Sequence, residues 1–124
     1  MADEISLQAS ISFSTTNIDE NINPASLQID VASALGDGGV QQIGSGSHET
    51  IVATDTGDGG IFFFRNIDDA INITIGRVDG SPATFNPFLK LLPGEYAVGR
   101  LQQAAIAAKA ASGTANLQYR LFSP

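Results

Sequence analysis

The residues able to do chemistry in this 124-residue chain are few, and their spacing suits chemistry poorly. The sole histidine, His48, follows Gly44-Ser45-Gly46-Ser47, so a Ser–His–Asp set can be written with Ser45 or Ser47 and Asp55. No nucleophile elbow surrounds those serines, and the neighbouring glycines would hold them loosely. Asp55 and Asp58 lie in Asp55-Thr56-Gly57-Asp58-Gly59-Gly60, beside flexible backbone. Calcium takes about six to eight oxygen ligands, and the terminal glutamate of an EF-hand is missing here. Asp68 and Asp69 are sequence neighbours, so on a strand they would point to opposite faces and could not act as a carboxylate pair. No Gly-Lys-Ser/Thr follows any of the glycine clusters, which excludes a phosphate loop. Cysteine is absent, and with it go disulfides, thiolate zinc sites and a cysteine nucleophile. The expectation is a non-enzymatic chain with no catalytic residue, no metal site and no cofactor.

Charge is unevenly distributed. Nine acids precede residue 65 with no lysine or arginine among them; from Arg65 onward there are six bases and four acids, giving the net charge of −7. The scattered bases and the acidic balance argue against nucleic acid as a partner. No apolar run approaches the roughly 20 residues of a membrane helix. The acidic opening Met1-Ala2-Asp3-Glu4 gives no expectation of a secretory leader.

Any positioning scaffold must be built from short elements. Turn signals recur at Asn23-Pro24, Gly36-Asp37-Gly38-Gly39, Gly44-Ser45-Gly46-Ser47, Gly57-Asp58-Gly59-Gly60, Asp79-Gly80-Ser81-Pro82, Pro93-Gly94 and Ser112-Gly113. Separations of about 8–15 residues belong to an all-β sandwich or barrel. Between them, apolar residues alternate with polar ones: Ile5, Leu7, Ala9, Ile11 and Phe13; Leu27, Ile29 and Val31; Ile71, Ile73 and Ile75; Leu117, Tyr119 and Leu121. Each reads as a strand with one wet face. Further strands are expected at residues 40–43, 49–54, 85–92 and 96–101, with Tyr96 and Tyr119 both read as core. Residues 15–25 read as an irregular surface loop.

Two segments break the alternation. Ile61, Phe62, Phe63 and Phe64 are apolar on both faces, which implies that both sides of that strand are covered. Residues 103–111 are alanine-rich, a helix by propensity, yet they lie between strand-like stretches and too short a helix gains little there. A strand of small residues is preferred. The fold expected is one all-β domain over residues 1–124 with a short N-terminal arm, an antiparallel, jelly-roll-like β-sandwich of about eight or nine strands.

The second half carries a further signal. Ile61-Phe62-Phe63-Phe64-Arg65-Asn66-Ile67-Asp68 is followed by Ile71-Asn72-Ile73-Thr74-Ile75-Gly76. Next come Phe88-Leu89-Lys90-Leu91-Leu92-Pro93-Gly94-Glu95, Ala107-Ala108-Lys109-Ala110 and Leu117-Gln118-Tyr119-Arg120-Leu121. This succession resembles a group of small virion structural proteins of tailed bacteriophages. The resemblance implies a capsid cement (decoration) protein, on the outer surface of the head, bridging major capsid protein subunits. It also implies a homo-oligomer, a trimer being favoured. A tail, baseplate or fibre component is the alternative. The interface candidates are Ile61, Phe62, Phe63, Phe64, Phe85 and Phe88.

Overall fold

A computed structural model describes residues 4–30, 36–51, 60–101 and 106–122. It holds twelve strands and, among the described residues, no helix. Chain contacts divide it into two compact units, Met1–Ser33 and Ala34–Pro124.

The first unit is a pair of antiparallel ribbons nested in sequence. β1 (Glu4–Leu7) pairs with β4 (Leu27–Asp30), and β2 (Ile11–Ser14) with β3 (Asp19–Ile22). The alternating run from Ile5 to Phe13 is thus two strands, interrupted at residues 8–10, and the expected loop at 15–25 contains β3. The reversal is closed locally: the Thr15 N–H donates to the Ile18 carbonyl at 2.6 Å, and the Ile18 N–H to Thr15 Oγ1 at 3.1 Å. A side-chain oxygen satisfying a turn amide is the usual reason for threonine there.

The second unit contains eight strands: β5 (Gly36–Gly44), β6 (Glu49–Thr50), β7 (Ile61–Asn66), β8 (Ile73–Asp79), β9 (Thr84–Leu91), β10 (Tyr96–Arg100), β11 (Ile106–Ala110) and β12 (Thr114–Phe122). They form two four-stranded sheets, β10-β7-β12-β5 and β6-β11-β8-β9, with every pairing antiparallel. Consecutive strands repeatedly switch sheets, and the order is that of a jelly roll. The expected sandwich is present, with its strands confined to residues 36–122.

Its core draws on both sheets. Ile43, Phe62, Phe64, Leu117, Tyr119 and Leu121 from one sheet form a single buried cluster with Ile73, Ile75, Leu91, Ile106, Ala108 and Ala110 from the other. Packing is complementary in size. Phe62 and Phe64 stack with ring centroids 4.8 Å apart, and the residues registered against them on β10 are Gly99 and Ala97. A Cβ on Gly99 would lie 3.1 Å from the Phe62 ring, so the small residue makes room for the large one. The alanine-rich segment is strand β11 over Ile106–Ala110, as propensity alone would not have it. Its alanines are buried to within 2%.

Two expectations change. Tyr96 is 66% exposed, because the inward positions of β10 belong to Ala97 and Gly99. The glycine-rich residues 36–39 are not a turn; they extend β5 alongside the far end of β12, from Tyr119↔Gly39 to Phe122↔Gly36. Gly38 leaves room for the Arg120 side chain, which a Cβ there would strike. Opposite the bulge in β9, where Phe88 is the extra residue between Leu89 and Pro87, Gly76 lies so close to the Asn86–Pro87 backbone that any side chain would collide with it. The Pro93-Gly94 turn is present: the Glu95 N–H donates to the Leu92 carbonyl at 2.9 Å, with Gly94 at φ 85°. Proline then glycine at the two central positions is the demand of a type II turn.

Candidate partner-binding surfaces

Most of the distinctive polar residues are occupied in holding the fold. Asn66 ends β7 and is fully buried. Its Nδ2 donates to the carbonyls of Ile71 at 2.8 Å and Leu91 at 2.9 Å, while its Oδ1 accepts from the Asp68 N–H at 2.9 Å. Its backbone bonds both sides of the Pro93-Gly94 turn, through the Glu95 carbonyl and the Gly94 N–H. Glu95 Oε1 accepts from the Leu92 N–H at 2.7 Å. The Asn66-Ile67-Asp68 and Leu92-Pro93-Gly94-Glu95 motifs are therefore one hydrogen-bonded knot joining the two sheets. Asn66 is buried at its centre, and the hydrogen-bonding groups of both motifs are spent on backbone partners.

Asp68 closes the next turn by accepting from the N–H groups of Ala70 at 3.0 Å and Ile71 at 2.8 Å. The Ala70 amide, then the Ile71 and Asp69 amides, hold its carboxyl below the usual 3.8, against a smaller opposing effect of desolvation. A carboxyl lowered by folding stabilises the native state above its unfolded value, and that contribution fades as pH falls through the lower folded value. Asp68→Asn keeps an accepting oxygen but no charge. Its melting temperature should lie below wild type at neutral pH, with the gap closing below pH 3.8. A gap independent of pH would mean that the charge contributes nothing to the turn.

His48 has a packing role. Its ring stacks on Phe85, with centroids 5.4 Å apart and planes 15° from parallel, and the adjacent Glu49 carboxylate accepts from the Gly44 N–H. Asp55 and Asp58 lie outside the described residues.

What remains for recognition is surface. At one end of the sandwich, Phe62, Leu101 and Ile106 line an open pocket of about 390 Å³ together with Arg77, Asn86, Pro87, Phe88 and Arg100. Arg77 is in phase with the core residues Ile73 and Ile75 and pairs with Ile106 on β11. An inward row thus ends in a guanidinium. Arg77 forms a 2.6 Å ion pair with Asp79, and Asn86 Nδ2 donates to the same carboxylate at 3.3 Å. The pair is about half exposed, so the Arg77 donors not facing Asp79 stay accessible to a ligand carboxylate. The arrangement suits a partner segment that sets an acidic group beside an apolar one.

The second surface is the outer face of the β10-β7-β12-β5 sheet. Across its strands, Val98, Phe63 and Arg120 form one row, and Tyr96, Arg65, Gln118 and Val40 the next. Phe63 stacks on Tyr96 at 6.0 Å. Tyr96, Val40 and Val98 are 66%, 59% and 40% exposed.

The interface candidates therefore separate. Phe62 and Phe64 are core residues and Ile61 is also buried. Phe63 is half-buried on the outer face, Phe85 is half-buried against His48, and Phe88 is 56% exposed beside the pocket. Arg77, Arg100 and Val98 were not singled out from the sequence, and Tyr96 was read as core. The phase of Arg77 with Ile73 and Ile75 was the available signal. In comparisons with known proteins, no family model, no curated protein and no solved structure matches this chain.

Proposed function

We propose that the chain is a non-enzymatic structural protein of a virion, a capsid cement protein that attaches to the outside of a phage head and ties neighbouring major capsid subunits together. The observation carrying this reading is the fate of the motifs behind the resemblance to phage structural proteins. Asn66, Asp68 and Glu95 are engaged in backbone hydrogen bonds, as a static scaffold requires, while recognition is left to surface patches. Jelly rolls are frequent among viral capsid domains, an analogy of fold alone. The docking surface is the end pocket with Phe88 and Pro87 at its rim, whose arginines meet acidic groups of the capsid. Bridging two subunits raises the total hold, because the contacts must break together.

The test is addition of the purified protein to heads lacking cement. It should bind at a fixed stoichiometry set by the capsid lattice, and Phe88→Asp should abolish binding without unfolding the protein. Wild-type protein that ignores heads but is found on tails would replace this reading with that of a tail component.

A further inference from the structure

The first unit exposes an apolar face. In the β2–β3 ribbon, Ile11 stands opposite Ile22 and Phe13 opposite Glu20, while Ser12, Ser14, Asn21 and Asp19 occupy the other face. Ile11, Phe13 and Ile22 are 62%, 49% and 53% exposed. A two-stranded ribbon is marginal in water on its own and gains most when its apolar face is covered. Charge narrows the choice of cover. Residues 1–33 contain five acids and no base, and Glu20 lies within the apolar face itself.

The outer face of the β10-β7-β12-β5 sheet is the complement. Its rows hold Tyr96, Val98 and Phe63 among Arg65, Arg120 and Arg100, with no acid at those register positions. Docking sheet face on sheet face would set arginines against arginines, and ribbon on ribbon would set acid against acid. Only ribbon on sheet pairs opposite charges while covering apolar surface on both sides.

We propose that the β2–β3 ribbon of one copy lies across the Tyr96–Phe63–Val98 face of a second copy, with Glu20, the acid on its apolar face, directed to Arg65 and Arg120. The contact joins two different surfaces, so it is heterologous and propagates from copy to copy until a ring closes. Symmetric pairing through one shared patch is a different arrangement. This inference needs no virion and stands apart from the function proposed above.

The cysteine-free chain allows a direct test. Phe13→Cys and Val98→Cys are made in separate proteins, mixed, and oxidised. A mixed disulfide dimer should form about tenfold faster than from Ser12→Cys with Val98→Cys, where the thiol sits on the opposite ribbon face. Equal rates overturn the proposal. So does a cross-link formed only when both cysteines are in one chain, which would show the ribbon covering its own body. Light scattering of the unmodified protein should report a closed oligomer; a monomer at every concentration overturns the proposal. Glu20→Arg and Arg65→Glu should each weaken association about tenfold at low salt, and mixing the two should restore it. Failure of the mixture to recover would mean that these two residues do not meet.

Discussion

Phe62→Asp should leave the body unfolded, whereas its sequence neighbour Phe63→Asp should fold and fail only in association. The two rings project from opposite faces of β7. Phe62 is 8% exposed, stacked on Phe64, with Gly99 beside it. Removing such a phenylalanine costs about 3–5 kcal/mol in lost transfer and cavity terms. Seating a carboxyl in its place adds either an ion in an apolar interior or the cost of protonating it. Against a typical total stability of about 5–15 kcal/mol, the sum is enough to unfold the body. Phe63 instead stacks on Tyr96 at 6.0 Å and stands beside Val98 and Arg120. Its replacement loses cross-strand contacts of about 1 kcal/mol, and an aspartate there would face arginine. Circular dichroism and urea denaturation read the first variant; light scattering and the Phe13→Cys cross-link read the second. A folded Phe62→Asp would put the inward row of β7 on the wrong side. Undiminished association of Phe63→Asp would remove the outer sheet face as an interface.

The sheet that contains β7 shows why part of the architecture was legible in the sequence and part was not. Leu117, Tyr119 and Leu121 alternate with polar neighbours, and their burial follows that alternation along β12. Period two is a local property, so reading it needs no knowledge of the partner strand. Tyr96 was misjudged because apolarity alone places tyrosine and valine inside and alanine and glycine anywhere. The inward positions of β10 were decided across the sheet, by the bulk of Phe62 and Phe64 registered against Gly99 and Ala97. Residues 36–39 were misjudged for a related reason. Local composition favours a turn, but β12 runs nine residues and offers them a complete ladder. The end pocket needs Arg77, Asn86 and Arg100 from three strands, and only their meeting in space makes it a surface. The ribbon was partly visible, in the alternation from Ile5 to Phe13; its return strand, Asp19-Glu20-Asn21-Ile22, carries no apolar alternation and sits in a stretch that read as irregular.

Asn66→Ala is the second large effect expected, and it tests whether the knot is what unites the two motifs. The alanine would remove two donors and one acceptor at a fully buried position. It would leave the carbonyls of Ile71 and Leu91 without these donors where water is scarce. Each unsatisfied buried group costs about 1–3 kcal/mol, so a loss of about 3–5 kcal/mol is expected once some relaxation is allowed. Asn66→Asp separates shape from hydrogen bonding. It keeps the size and can still accept from the Asp68 N–H, but an ionised carboxylate would face two carbonyl oxygens at the positions of the Ile71 and Leu91 bonds. Protonation converts one oxygen into a donor that can serve one of those carbonyls. Folding therefore raises the carboxyl pKa of the variant, and its stability should increase as pH falls through that raised value toward the unfolded one. This is opposite in sign to the loss expected from Asp68 in the wild type. Urea denaturation of both variants between neutral and mildly acidic pH reads the difference. An Asn66→Asp protein whose deficit is the same at both pH values would show that the two carbonyls do not depend on the Asn66 amide. The junction of the motifs would then rest on the Pro93-Gly94 turn and its backbone bonds alone.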